Sequence, residues 1–355
     1  MSEVRIVITG GAGFVGSSLA RGLTERLDRV EITALDNLKR RGSELALSRL
    51  AACGADFVHG DVRNCEDFER LGPFDLLIDC SAEPSVKAGY DGGARELVNT
   101  NLMGTINCLE AARKNGAGFL FLSTSRVYPI DGLRALPLEP TATRLTIPTD
   151  HAGIGWSQDG ITTDFPLDGA RSLYGATKLA SELLAREYQQ LYNMKLLINR
   201  CGVIAGPWQM GKVDQGFMVL WMARHLFGGA LSYMGFGGQG LQVRDVLNVA
   251  DLVDLITLQV AGMNDWDGSV FNVGGGTFAT SLLELSKLCA ERAGAPRQID
   301  RVPETHMADV PWFVVDNRRV EETFSWRPRR DVATTVHEIA DWLVENQTQL
   351  KAILG

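Results

Sequence analysis

Two side chains near the middle of the sequence have the types and spacing for proton transfer: Tyr174 and Lys178, in Ser172-Leu173-Tyr174-Gly175-Ala176-Thr177-Lys178. The stretch closes a long polar loop and opens a helical pattern that runs to about Tyr192. Residues four apart on a helix lie one above the other on the same face. A free tyrosine, with a pKa near ~10, is a poor base at neutral pH. A lysine ammonium beside it favours the phenolate and brings that proton into working range. Tyr-x-x-x-Lys also occurs on solvated helix faces, so the pair means chemistry only where the chain builds a cofactor site next to it.

The amino-terminal third supplies such a site. Val4-Arg5-Ile6-Val7-Ile8-Thr9 is a β-branched run, followed by Gly10-Gly11-Ala12-Gly13-Phe14-Val15-Gly16 and a helical pattern from Ser17 to Leu27. In such a turn the glycine at 10 makes the tight bend and the glycine at 13 lets backbone approach a pyrophosphate. The glycine at 16 lets helix and strand pack closely. The helix amino end, with its unpaired amides and positive dipole, then faces the phosphates. A ligand-free glycine turn is the bland alternative, but strand before and helix after is the context that favours the dinucleotide.

A second strand, Glu31–Leu35, ends in Asp36-Asn37, and Asp36 lies twenty positions after Gly16. An acid there accepts from adenosine ribose hydroxyls and repels a 2′-phosphate, which favours NAD over NADP. Lys39, Arg40 and Arg41 follow closely and are of the type that would reverse that preference. A third strand, Asp56–His59, leads to Asp61-Val62, a pair placed to bracket an adenine. Asp61 could equally cap the helix that follows. A fourth strand spans 74–82 and a fifth 118–124, after an amphipathic helix at about 93–114. Strands alternating with helices predict an α/β fold, a Rossmann-type doubly wound parallel sheet. Ligands bind such sheets beyond the carboxyl ends of the strands, where Asp36, Asp61, Ser81 and Thr124 all fall.

Composition removes several other classes. The 355 residues are 45% hydrophobic and 22% charged, as in ordinary globular proteins. A net charge of −8 argues against a nucleic-acid surface. No apolar run reaches the ~18 residues of a membrane span, and the first residues lead into a strand without a signal-peptide pattern. Six cysteines and five histidines are scattered without ligand spacing, so reduced thiols in a cytoplasm are expected, and no metal.

The ordered set of motifs resembles the extended short-chain dehydrogenase/reductases, the nucleotide-sugar epimerases and dehydratases. It comprises Gly10-x-x-Gly13-x-x-Gly16, Asp61-Val62, Asn101 in Asn-Leu-Met-Gly-Thr, Ser123-Thr124-x-x-Val127-Tyr128 and Tyr174-x-x-x-Lys178. It continues through Gln242–Val246 and Asn272–Gly275 to Trp326-Arg327-Pro328, spanning nearly the whole chain. Within that family, Asp164–Leu167, Ser172–Gly175, Asp214–Phe217 and Gln242–Leu247 are similar to the CDP-paratose (CDP-tyvelose) 2-epimerases. The resemblance implies one retained NAD, reduced and reoxidised in each turnover, with Gly10, Gly13, Phe14, Val15, Gly16, Asp36, Asn37, Asp61, Val62, Ser81, Ala82 and Asn101 around it. It also implies that Tyr174 takes the proton from a sugar hydroxyl and Thr124 bonds the same oxygen. Lys178 would hold the nicotinamide ribose and assist Tyr174. A strand-end cap at Thr124 and a helix hydrogen bond at Asn101 are the structural alternatives.

Departures from the family pattern narrow the chemistry. Its 4,6-dehydratases carry Asp-Glu directly after the threonine, whereas this chain has Ser125-Arg126. An arginine cannot serve as that acid–base pair at neutral pH, so dehydration is not expected. The usual His-x-Ala at the fourth strand is Asp79-Cys80-Ser81-Ala82, and His306 stands near a common arginine position, ahead of Asp309. His306 would bind phosphate only when protonated.

The division expected is a cofactor domain at 1–200, rejoined by about 242–262, and a substrate-binding lobe at 201–355. The long irregular stretch 129–171 reads as a wall of the sugar pocket or a partner contact. Arg244 suits a diphosphate, with a salt bridge to Asp245 as its alternative. Gln215 could read the sugar or base, or cap the helix expected from about 212. The helices near 101–114 and 174–192 are apolar on more than one face, which suits a homodimer joined through a four-helix bundle, with helices buried in a thick core as the alternative. The activity expected is inversion at C2 of a CDP-hexose. A 4-epimerase or dehydrogenase on another nucleotide sugar is the nearest rival, and a non-catalytic NAD sensor a more distant one.

Overall fold

Val4–Thr9 forms strand β1, with its last four side chains buried. Such near-continuous apolar runs are what a parallel sheet covered on both faces requires. The computed structural model describes residues 3–85, 89–90, 92–211 and 216–354. Six further strands join β1: β2 (Val30–Asp36), β3 (Asp56–His59), β4 (Leu76–Asp79), β5 (Gly118–Thr124), β6 (Leu196–Cys201) and β7 (Val270–Val273). Their order is β7-β6-β5-β4-β1-β2-β3. The pairs β1–β2, β2–β3, β1–β4 and β4–β5 are all parallel. The expected doubly wound α/β sheet is present, and its order reverses between β1 and β4, which is where such sheets leave a crevice for a ligand.

Helix α1 (Phe14–Arg26) follows β1, helix α2 (Gly104–Asn115) precedes β5, and helix α3 (Leu173–Tyr192) precedes β6. One face of the sheet is sealed by Cys108, Leu109 and Ala112 of α2 and Ala185 of α3. They pack in one core with Leu77, Phe119, Phe121 and Ile198. Each large apolar side chain buried this way contributes about 1.5–3 kcal/mol. The helix expected at 93–114 is not a single regular helix: Ala94–Val98 is α-helical and Asn99–Met103 is a π turn before α2 begins. A π turn admits an extra residue into the helix and commonly sits at functional sites. Asn101 lies in it.

The chain divides into two compact units. The first is Met1–Val127, Ser172–Arg200 and Val253–Phe271; the second is Tyr128–Arg171, Cys201–Leu252 and Asn272–Gly355. In the second unit, the stretch read as irregular contains a helix at Ile130–Arg134 and two antiparallel hairpins, Glu139–Pro140 with Leu145–Thr146 and Trp156–Ser157 with Gly160–Ile161. Val246–Asn248 pairs in parallel with Val203–Ala205, and the helix Val249–Ala261 follows directly. No helix among the described residues is long and apolar enough to cross a membrane.

The first hairpin is tied down by charge. Arg144 Nε donates to Glu284 (2.8 Å), and Glu284 also completes the capping box with Ser281 at the start of the helix Leu282–Ala293. Burial pushes the Glu284 carboxyl up, but Arg144, the Ser281 amide and the Thr143 hydroxyl outweigh it and hold the group at about 2. A depressed folded pKa stabilises fully above the ordinary value of 4.5, and that stability is lost as pH falls through about 2. Arg144→Met is expected to flatten this dependence. Its melting temperature should fall less than that of the native chain across that acidic window, and parallel melting curves would remove the pair from the account.

Candidate active site

The turn after β1 is built so tightly that side chains do not fit in it. A Cβ on Gly16 would lie 2.2 Å from the Gly10 carbonyl oxygen, and one on Gly13 2.9 Å from the same atom. Gly10 has φ +63°, and its Cβ would meet the Cys80 carbonyl. Gly11, which the sequence reading passed over, is equally constrained, because its Cβ would sit 2.6 Å from that of Ala34 in β2. Gly13 is the residue at which α1 begins, and no side chain caps it. Phe14 and Val15 then form the first helical turn, whose amides have no intrahelical partner. A cradle that any Cβ would fill, at an uncapped helix amino end, fits the pyrophosphate of a dinucleotide.

Around this turn, Asp36 at the end of β2 accepts from the amides of Ala12 (3.1 Å) and Leu38 (2.8 Å). Burial raises its carboxyl above the usual range, partly countered by those amides. Asn37 donates to Asp61 (2.8 Å), and Arg63 forks onto the same carboxylate at 2.9 and 2.6 Å. Arg63 above all holds the Asp61 carboxyl far below its ordinary range. Asp61 therefore anchors the loop after β3 through Arg63, and Asn64 is the cap of the following 3-10 turn. Val62 packs where a Cβ on Gly104 would be. Ser81 is buried and donates to Asp79 (2.6 Å), with Ala82 half-buried beside it. Asn101 accepts from the Glu83 amide (2.7 Å) and donates to the Glu83 carbonyl (3.2 Å) and to Thr177 Oγ1 (3.3 Å). The π turn thus clasps the loop after β4 to α3.

Ser172 caps α3, its hydroxyl accepting from the Gly175 amide (3.2 Å). Tyr174 consequently sits buried in the first turn of a 20-residue helix. The partial positive charge of a helix amino end favours negative charge there, a contribution the spacing argument did not include. Lys178, one turn on, is buried, donates to the Leu122 carbonyl (2.9 Å) and lies 4.4 Å from the Phe121 ring centre. Thr124 closes β5, and its Oγ1 accepts from the Arg126 amide (3.2 Å). With that acceptor site used, the hydroxyl keeps its own proton to donate.

One turn beyond Lys178, Glu182 is buried with Arg200, whose Nε lies 3.1 Å from each carboxylate oxygen and whose Nη2 is at 2.7 Å. Ser123, beside Thr124, donates to the same carboxylate. The sequence carried a signal for this: Glu182 continues the Tyr174–Lys178 stripe at i+4 on a face that has to be buried.

In the second unit, Arg244 does not pair with the neighbouring Asp245. It donates to Asp309 at 2.6 Å, and β-pairing of Val243-Arg244 with Trp312-Phe313 brings the two segments together. Asp245 instead accepts the amides of Gly275 (2.7 Å), Gly276 (3.0 Å) and Val315 (2.9 Å). Burial pushes it up to about 6 despite those bonds. His306 is exposed; its Nδ1 accepts from the Ala308 amide (3.1 Å) and its carbonyl from Arg134 (3.0 Å). Gln215 lies outside the described residues. No metal-ligand cluster occurs among the described residues.

The family model described as NAD dependent epimerase/dehydratase family matches residues 6–274. The chain is 29% identical to the CDP-paratose 2-epimerase of Salmonella typhi over 350 residues, covering 96% of this chain and 99% of that one. It is 30% identical to a low-salt glycan biosynthesis protein of Haloferax volcanii, covering 91% and 93%. Among solved structures, the UDP-glucose 4-epimerase of Thermus thermophilus in complex with NAD superposes with a TM-score of 0.76 at 25% identity, covering 96% and 99%. The chain therefore belongs to the NAD dependent epimerase/dehydratase family, and its cofactor is NAD.

Proposed function

We propose that this chain inverts C2 of a CDP-hexose of the paratose/tyvelose type by oxidising a sugar carbon and reducing it again. The observation that carries the reading is the proton-transfer end of the site. Tyr174 lies in the first turn of α3 with Lys178 buried one turn on. Thr124 ends β5, and Ser125-Arg126 follows where dehydration would need two carboxyl groups. NAD, when bound, takes a hydride from the sugar carbon and gives it back. Tyr174 removes the hydroxyl proton as that carbon is oxidised and returns it at the end. Thr124 donates to the same oxygen. Lys178, held by the Leu122 carbonyl, places a positive charge beside the phenol. Presenting the other face of the keto-sugar before reduction gives inversion.

Residues 1–200, with 242–262, bind the cofactor in this reading, and 201–355 take the sugar nucleotide. Arg244 would turn its fork from Asp309 to the diphosphate, and Gln215 and His306 would line the sugar or base. The likeness to the Salmonella 2-epimerase supports C2 and cytidine. Two chains would associate through α2 and α3, the latter exposing Leu183, Leu191 and Tyr192. The six cysteines are free thiols, which fits a reducing cytoplasm.

The test is incubation with a panel of CDP-, UDP-, GDP- and dTDP-sugars, followed by NMR. Inversion at C2 of a CDP-sugar, without water loss and without net NADH, is the expected result. Inversion at C4 of a UDP-sugar would replace the substrate assignment, and accumulating NADH would make the chain a dehydrogenase.

A further inference from the structure

Asp79 has no exposed surface, and the reaction as derived does not use it. The other buried carboxylates of the cofactor-binding unit have arginine partners, Asp67 with Arg70 and Glu182 with Arg200. Asp79 has no such partner among the described residues. Its oxygens are held by uncharged donors instead. Oδ1 accepts from Thr9 Oγ1 (2.8 Å), the Ser81 amide (3.0 Å) and Ser81 Oγ (2.6 Å), and Oδ2 lies 3.0 Å from Thr105 Oγ1, whose single proton is shared with the Asn101 carbonyl. A buried carboxylate without a counter-ion is costly unless hydrogen bonds hold it.

The position of that charge is specific. Asp79 ends β4 and stands in register with Thr9, the residue before the glycine turn, on the one side. On the other it is in register with Phe121 of β5, whose ring carries the Lys178 ammonium. It therefore lies at the point where the strand order reverses, under the dinucleotide crevice.

The oxidised nicotinamide ring is cationic and the reduced ring is neutral. A fixed anion in a poorly screened interior stabilises the first more than the second, with a sign that does not depend on geometry. We infer that Asp79 sets the redox balance of the bound cofactor, favouring the oxidised over the reduced form. It is a positioning and poising residue, not a catalytic one. An enzyme that keeps one cofactor through every cycle benefits directly, because a bias toward the oxidised state drives the hydride back onto the keto-sugar.

Asp79→Asn tests the charge alone. The amide keeps the shape: its oxygen accepts from Thr9 and Ser81, and its nitrogen donates to Thr105 Oγ1, whose own proton goes to the Asn101 carbonyl at 2.8 Å. Calorimetric titration of the full-length chain with NAD+ and with NADH gives the ratio of the NADH to the NAD+ dissociation constant. In Asp79→Asn that ratio is expected to fall at least ~3-fold from the native value, a modest fraction of an unscreened Coulomb effect. Asp79→Ser is measured in the same way if the amide does not fold, with the same fall expected. An unchanged ratio, including one in which both affinities weaken equally, would overturn the inference and leave Asp79 as a strut.

Discussion

Tyr174→Phe is expected to lower turnover at least ~100-fold while leaving NAD bound, since a general acid–base step is worth about that much. Phenylalanine keeps the ring and its burial and deletes only the hydroxyl. The glycine cradle at residues 10–16, proposed to receive the cofactor, is a backbone feature and does not depend on that group. NMR of a sugar-nucleotide incubation reads the turnover, and absorbance of the purified protein reads the cofactor. Near-normal turnover with NAD in place would take Tyr174 out of the proton path. Lost turnover together with lost NAD would point to a collapsed site.

Glu182→Ala is expected to destabilise the protein by about 3–5 kcal/mol, because it strands the Arg200 guanidinium in the core without its counter-charge. Urea titration of the cofactor-binding signal and of bulk secondary structure should both shift to lower denaturant. Replacing both partners together, Glu182→Leu with Arg200→Met, is expected to recover part of the loss, since well-packed apolar residues carry no desolvation penalty. A single substitution that costs under about 1 kcal/mol would place the pair among solvated surface bridges. The effect matters for chemistry because Glu182 continues the helical stripe of Tyr174 and Lys178. With Ser123 it fixes α3 against the end of β5, where Thr124 stands.

How each feature could be read depends on how far apart its partners lie in the sequence. The glycine turn, Asp36 at the end of β2 and the Tyr174–Lys178 spacing were legible because turn chemistry and helical periodicity act over a few residues. The π turn at Asn99–Met103 was not, since its composition matches that of an ordinary helix and only the clasp on Glu83 and Thr177 requires it. The salt bridge to Asp245, the alternative for Arg244, does not form for a related reason. Pairing of Val243-Arg244 with Trp312-Phe313 carries the cation to Asp309, while Asp245, just past the strand, takes the amides of Gly275, Gly276 and Val315.

By itself, then, the sequence determined that a strand, a tight glycine turn and a helix follow one another, and that a tyrosine and a lysine share one face of a second helix. Each follows from residues close in sequence, where backbone geometry leaves few choices. Only the tertiary structure decided what surrounds that pair. The cap at Ser172 sets Tyr174 in the first turn of α3, Glu182 and Arg200 lock the helix to the sheet, and Asp79 meets Thr9 across 70 residues. Those contacts depend on strand order and register, which the burial of whole faces fixes and which no local pattern encodes.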